Sequence, residues 1–212
     1  TKASVWWLFF GANYDILYAT DVIDWKKVEG GSDMSVRIVP MTMNNMADLP
    51  DRDYPYTVIG RMRLHFEDDR WSYEPELYNA PWEKTFPEEE TDRESYVKDP
   101  HRAAFLAYDG QRRVGSVLLK CDWNLYGFIN DIGVEPEYRG KGVGRMLMER
   151  AECWAREQGM LGLALEAQDT NLNAARFYEA CGFEIGCVNT KLYENFGGPR
   201  EYAVFWYKNF HV

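Results

Sequence analysis

Alternating hydrophobic and polar positions run through much of the chain and predict β-strands. In residues 56–66, Val58 and Met62 fall on one side and Arg61 and Arg63 on the other. A polar turn at 67–69 and a second run at 71–78 complete a predicted hairpin. Further strands are predicted at 35–41, 103–108, 114–121, 126–134, 161–167, 183–188 and 202–210. Helices are predicted at 43–49, at 144–158 and around Tyr178, with a loop over 79–100 and a linker over 189–199.

The segment 130–145 stands out because a strand, a glycine-rich turn and a helix start follow one another. The open N–H groups of a helix N-terminus and its dipole favour an anion. Gly140, Gly142 and Gly144 lack the side chains that would hold a phosphate away from the backbone. Three basic residues lie among them: Arg139, Lys141 and Arg145. This segment therefore predicts a phosphate site.

The spacing of these glycines separates the segment from two common phosphate-binding motifs. A Walker loop needs Ser or Thr after its Lys, but Gly142 follows Lys141. The dinucleotide fingerprint needs a different glycine spacing and an acidic residue about 20 positions on. The pattern Arg139-x-x-Gly142-x-Gly144 instead resembles the loop of the GNAT superfamily of N-acetyltransferases.

A second segment strengthens this resemblance. Asn171 is followed seven positions later by Tyr178 and then by Gly182-Phe183, which is similar to the second GNAT signature. Asp169 or Thr170 is expected to cap this helix, and Gly182 to end it. The resemblance covers about residues 35–210. It implies an α/β (α+β) GNAT fold, with a central mixed, mostly antiparallel twisted sheet of about six or seven strands, flanked by helices and splayed between its two central strands.

The resemblance also implies a site for acetyl-CoA as co-substrate. Pantetheine is expected along Ile132, Gly133 and Val134, with the thioester carbonyl against backbone N–H groups near Val134. Asn171 is expected to contact the coenzyme arm, and Tyr178 to act as general acid near the sulfur. The pyrophosphate is expected on the amides of Arg139, Gly140, Lys141, Gly142, Val143 and Gly144.

Two carboxylates are candidates for the base that takes the proton of the amine. Asp131 and Glu166 both lie near the expected splay, and Glu166 stands among apolar strand residues, where a carboxylate must be paired or functional. Asp131 has another interpretation, as a partner of Tyr126 or of a loop N–H. Glu166 has one too, as the electrostatic partner of a substrate ammonium.

The net charge and the composition of the chain indicate which classes of molecule it can bind. The 212 residues are 46% hydrophobic and fit one domain with a sizeable core. A net charge of −10 argues against nucleic acid and suits a cationic amine. The acidic run Glu88–Glu90 with Asp92 is either a solvated, mobile loop or a lid that attracts a polycation.

Other residue types argue against metals, disulfides and membranes. His65, His101 and His211 lie far apart, so no metal site is predicted. No apolar run is long enough to span a membrane. The cysteines are interpreted as reduced thiols in a cytoplasmic protein; they are Cys121, Cys153, Cys181 and Cys187.

Within the family, the C-terminal third resembles the streptothricin acetyltransferases. The matching segments include Lys120–Tyr126, Leu165–Asn171 and Leu192–Phe196. The resemblance implies acetylation of a β-lysine amine in a cationic antibiotic, and a substrate site containing Trp123, Tyr126, Glu166 and Tyr193. Protein N-termini or polyamines are alternative acceptors, and a non-catalytic acetyl-CoA-binding module is another alternative. The family resemblance also makes a homodimer an expectation.

The first 33 residues form no clear pattern. The sequence Glu29-Gly30-Gly31 shortly before Met34 suggests a translated ribosome-binding sequence, so residues 1–33 are predicted to be upstream DNA that was translated. The domain is then 34–212. The competing interpretation is a short additional β-hairpin or helix.

Overall fold

A computed structural model describes residues 35–50, 55–85, 91–196 and 198–210. The predictions for residues 1–33 and for the acidic run Glu88–Glu90 lie outside these ranges. The strands are β1 (Val36–Pro40), β2 (Tyr56–Glu67), β3 (Arg70–Lys84), β4 (Arg102–Asp109), β5 (Arg112–Cys121), β6 (Tyr126–Val134), β7 (Gly162–Gln168), β8 (Glu184–Asn189) and β9 (Ala203–Asn209). The α-helices are α1 (Ser95–Lys98), α2 (Val143–Glu157) and α3 (Leu172–Ala180), and short 3₁₀ turns occupy Met46–Asp48 and Pro136–Tyr138.

The main sheet contains seven strands in the order β1-β4-β5-β6-β7-β9-β8. Its neighbours are antiparallel except for β6 and β7, which run parallel. The predicted mixed, mostly antiparallel sheet is therefore confirmed. The hairpin of β2 and β3 forms a separate two-stranded sheet.

Three local predictions need correction. β3 continues to Lys84 instead of ending at residue 78, because the chain crosses an irregularity and pairs again, with Val58 opposite Trp82. Pro81 lies within the predicted loop, but β3 has one unpaired edge in its two-stranded sheet, where a missing N–H is tolerated. The helix predicted at 43–49 is only a 3₁₀ turn, and α1 lies within the predicted loop.

Two apolar layers enclose the sheet. Alternation along β5 sends Val117 and Leu119 to the layer beneath α2, and Leu118 to the opposite layer, which includes Tyr96 of α1. The buried stripe of α2 follows helical spacing and comprises Val143, Leu147, Met148, Ala151, Trp154 and Ala155. This packing positions the N-terminus of α2 at the end of β6.

A buried ion pair joins the hairpin to the main sheet. Asp169 has a fully buried side chain and accepts from Nε of Arg61 at 3.1 Å. The other oxygen of Asp169 accepts from the N–H of Tyr202 at 2.9 Å, and its carbonyl accepts from the N–H of Met62 at 2.8 Å. Asp169 is therefore a structural tie between β2 and the segment leading into β9.

We expect Asp169→Ala to lower the free energy of unfolding by about 3 kcal/mol, because it leaves the Arg61 charge without its buried partner. Urea denaturation measures the change. The matched control is Glu94→Ala, which removes an exposed ion pair with Lys98 and should cost less than about 1 kcal/mol. Equal losses in the two variants would contradict the structural role of Asp169.

Candidate active site

The glycine-rich turn has the open geometry of an anion site. Gly140 and Gly142 have φ values of +71° and +88°, in the left-handed region that favours glycine. A Cβ on either would meet no atom within 4 Å, so the space above the backbone is free. Gly142, the cap residue before α2, offers no side-chain hydrogen bond, and the first N–H groups of the helix stay open.

Gly144 serves close packing. A Cβ at this position would lie 3.3 Å from the ring of Phe177, so the glycine lets α3 approach α2 closely. Val143 is buried in the core and does not line the cavity described below. These two neighbours therefore fix the position of the helix start.

The basic residues of the turn play different roles. Arg139 donates from Nε to the carbonyl of Val134 at 3.1 Å and from Nη2 to the carbonyl of Pro55 at 3.1 Å. Arg139 thus ties the turn to β6 and to the start of β2. Lys141 lies over the ring of Tyr138, with 5.4 Å from Nζ to the centroid, and does not line the cavity. Arg145 does line it and is mostly exposed.

The two central strands separate part of the way along. β6 and β7 pair over Tyr126–Ile129 and Gly162–Leu165 and then diverge. β6 remains paired with β5 up to Val134, with Asn130 as an extra, bulged residue. β7 remains paired with β9 up to Gln168. The backbone groups that face the gap therefore have no partner strand, as the predicted splay requires.

A cavity of about 1100 Å³ fills this gap. It extends from the glycine-rich turn, through the opening between β6 and β7, to the segments around Tyr96 and Tyr193. The predicted site residues that line it are Asp131, Ile132, Gly133, Val134, Arg139, Gly140, Gly142, Gly144, Glu166, Asn171, Tyr178 and Tyr193. Most of the predicted site is thus brought to one continuous space.

Tyr178 projects from α3 into the centre of this arrangement. Its ring packs near Phe183 and Trp206, with centroid separations of 6.1 and 5.9 Å. Burial raises the pKa of Tyr178 well above its usual range, and the charges of Asp131 and Glu166 raise it further. The three predicted catalytic side chains therefore share one environment, in which the phenol stays protonated.

Glu166 is partly buried and held by one hydrogen bond. Tyr193 donates from its hydroxyl to Oε1 of Glu166 at 2.5 Å. Burial raises the pKa of Glu166, and the bond from Tyr193 partly opposes that rise. Tyr193 comes from the linker between β8 and β9, so this linker closes one side of the cavity.

The cap of α3 differs from the prediction. Asn171, not Asp169 or Thr170, caps the helix, because its Oδ1 accepts from the N–H of Ala174 at 3.2 Å. Asp169 is instead held by Arg61, as described above. The predicted helix end at Gly182 is confirmed by its φ of +86°.

The structure places two predicted substrate residues away from the cavity. Trp123 is 77% exposed, and Tyr126 donates to Oδ1 of Asn209 at 2.6 Å. Trp123 lies in the turn before β6, and Tyr126, the first residue of β6, is roughly 17 Å along the strand from Asp131 at about 3.3 Å per residue. The interpretation of Asp131 as a partner of Tyr126 therefore does not fit.

Several residues of the cavity wall were not among the predicted substrate residues, although Asp92 belongs to the acidic run considered as a lid. Tyr56, Tyr96 and Gln168 line it, as does Asp92 at the end of the acidic segment. Gln168 stands two positions after Glu166, so the two side chains point to the same face of β7. Gln168 also lies in the Leu165–Asn171 segment that resembles the streptothricin acetyltransferases.

Comparison with known proteins agrees with this geometry. The model of the Acetyltransferase (GNAT) family matches residues 57–183. The chain belongs to the GNAT acetyltransferase family. It is 41% identical over 173 residues to streptothricin acetyltransferase A of Bacillus subtilis (strain 168), covering 82% of this chain and 99% of that protein. It is 28% identical over 178 residues to a streptothricin acetyltransferase of Escherichia coli, covering 82% and 95% of the two chains.

A solved structure shares the fold and carries the co-substrate. A protein of Bacillus anthracis str. Ames, solved in complex with acetyl coenzyme A, superposes with a TM-score of 0.77 at 34% identity, covering 84% of this chain and 100% of that one. The GNAT fold predicted from the sequence is confirmed. This protein is an N-acetyltransferase that uses acetyl-CoA.

The described residues show neither a metal site nor a membrane-spanning helix. No group of three or more His, Cys, Asp or Glu side chains there is arranged to hold a metal ion. None of the helices described is long and apolar enough to cross a membrane.

Proposed function

We propose that this GNAT enzyme transfers the acetyl group of acetyl-CoA directly to an amine of the β-lysine moiety of streptothricin and so confers resistance to that antibiotic. The observation that carries the proposal is one cavity that joins the glycine-rich turn to Glu166 through the gap between β6 and β7. Such a cavity can hold donor and acceptor together. The relatives named for streptothricin acetylation support the choice of acceptor.

The part of the cavity beside the glycine-rich turn and Ile132–Val134, called the donor half, suits a pyrophosphate and a pantetheine arm. The open N–H groups at the start of α2 would bind the pyrophosphate. The free edge of β6 at Ile132–Val134 would pair with the amides of pantetheine. Asn171 uses Oδ1 for its cap, which leaves its Nδ2 as a donor for the coenzyme.

The part of the cavity around Tyr96, Glu166 and Tyr193, called the acceptor half, is acidic and suits a cationic amine. Asp92, Asp131 and Glu166 line it. Arg102 lines it too, but its charge is offset by Asp99 at 3.5 Å. A cationic acceptor would therefore be attracted to this half of the cavity.

The chemistry needs a neutral amine, although a lysine-like amine has a pKa of about 10.4. Asp131 or Glu166, acting through water, would take its proton. The amine nitrogen then bonds to the thioester carbon, and backbone N–H groups at the free edge of β6 stabilise the oxyanion. When the carbon–sulfur bond breaks, the protonated hydroxyl of Tyr178 donates to the leaving sulfur.

A thiol-release assay with purified protein tests the proposal. Acetyl-CoA is supplied with streptothricin, with spermidine or with a peptide N-terminus as acceptor. Turnover on streptothricin alone is expected, and turnover only on the other two would overturn the acceptor. Direct transfer predicts intersecting initial-rate lines, whereas parallel lines would indicate a covalent acetyl-enzyme.

We expect Gly142→Ala to raise the KM for acetyl-CoA at least about tenfold, because the new Cβ strains a left-handed residue and enters the space proposed for phosphate. Steady-state kinetics measures this change. Gly159→Ala is the matched control: it has a φ of +71° at the other end of α2 and lies outside the cavity. It should cost similar stability and leave the KM unchanged. An equal rise in both variants would contradict the phosphate site.

A further inference from the structure

Gln168 is held in one orientation by two donors. Its Oε1 accepts from the hydroxyl of Tyr56 at 2.9 Å and from Nζ of Lys84 at 2.8 Å. Lys84 can only donate, and it is fixed in turn by Glu201 at 2.6 Å. Burial raises the pKa of Tyr56 to about 12, so its hydroxyl keeps its proton. The side-chain oxygen of Gln168 is therefore fully engaged by the protein.

The other end of this amide has no partner among the described residues. Gln168 lines the cavity, and its Nε2 group makes no hydrogen bond to them. This N–H₂ group is therefore available as a donor to a molecule bound in the cavity. Glu166, two positions earlier on the same face of β7, presents a carboxylate about 6.6 Å away along the strand. In this wall the carboxylate of Glu166 can accept a hydrogen bond from an amine. The neighbouring Nε2 of Gln168 can donate one to an oxygen.

We propose that Nε2 of Gln168 binds a carbonyl oxygen of the acceptor and makes the enzyme select amines that carry a nearby acyl group over plain polyamines. This inference rests on the proposed function and deepens it. A β-aminoacyl group has its carbonyl carbon two bonds from the carbon that bears the amine. Such a group can place its amine at Glu166 and its carbonyl oxygen at Gln168 together.

The inference can be tested without turnover by measuring how tightly two small amines bind to the protein saturated with coenzyme A. The probes are β-lysinamide and the diamine of the same skeleton that lacks the amide group. Isothermal titration is expected to show about 10- to 100-fold tighter binding of β-lysinamide, the effect of one hydrogen bond to a half-buried donor. Equal affinities, or no binding of either probe, would overturn the inference.

The isosteric variant Gln168→Glu isolates the donor. It keeps an oxygen for Tyr56 and Lys84 but replaces Nε2 by a second oxygen that repels a carbonyl. We expect the preference for β-lysinamide to disappear, although the added negative charge should strengthen binding of the diamine. Gln158→Glu adds the same charge outside the cavity and should preserve the preference. An unchanged preference in Gln168→Glu would overturn the inference.

Two readouts separate this role from a merely structural one. The affinity for acetyl-CoA and the melting temperature of Gln168→Glu should match those of the unmodified protein. Gln168→Met removes both the oxygen and the N–H₂ of the amide and should lose the preference without strengthening diamine binding. If the unmodified protein fails to acetylate streptothricin yet still prefers β-lysinamide, the proposed function fails while this inference stands.

Discussion

Replacing Tyr178 by phenylalanine should lower kcat by about 10²- to 10⁴-fold while the KM for acetyl-CoA changes little. The ring packs between Phe183 and Trp206, and phenylalanine fills the same space. Only the hydroxyl is lost, and no described side chain hydrogen-bonds to it. Removing the hydroxyl should therefore slow the departure of the thiolate and leave the binding of acetyl-CoA nearly unchanged.

The matched control for this experiment is Tyr207→Phe. Tyr207 lies on β9 against Tyr126, outside the cavity. Single-turnover measurements with saturating acetyl-CoA isolate the chemical step from product release. An unchanged kcat in Tyr178→Phe would show that the hydroxyl is not the general acid.

Replacing Glu166 by glutamine should lower kcat/KM for the amine by about a hundredfold and leave the KM for acetyl-CoA nearly unchanged. The amide keeps the shape of the side chain and can still accept from Tyr193, but it loses the charge that holds an ammonium or takes its proton. Glu149→Gln on the exposed side of α2 is the control for removing one negative charge.

The pH profile sharpens this prediction. Burial raises the pKa of Glu166, so its charged form is lost as the pH falls through that raised value. Activity that depends on the carboxylate should decline on that acid side, and the decline should vanish in Glu166→Gln. If it persists there and vanishes in Asp131→Asn, Asp131 is the base.

Local patterns were sufficient to predict the glycine-rich turn and the two helix ends beside the cavity. The turn at Gly140–Gly144 and the end of α3 at Gly182 depend on short-range geometry, which glycine spacing reveals. The strands of the main sheet were also predictable, because their alternation matches burial on two faces. The splay between β6 and β7 came from the family resemblance and not from periodicity.

The acceptor half depends on contacts between distant parts of the chain. Gln168 meets Tyr56 across 112 positions and Lys84 across 84, and no local pattern encodes such contacts. The same limit explains the cap of α3: Asp169 is a good cap by residue type, but Arg61, 108 positions away, pairs with it. Trp123 was assigned to the substrate site from a motif, yet it is exposed in the turn before β6 and does not line the cavity.

The cavity in the gap between β6 and β7 has a donor half and an acceptor half, which are lined by different kinds of groups. The donor half offers backbone N–H groups at the start of α2 and at the free edge of β6. The acceptor half is built from side chains of separate segments, among them Tyr96, Glu166 and Tyr193. Under the proposed function, substitutions in those segments would alter the choice of acceptor while acetyl-CoA stays bound, so the two specificities could evolve independently.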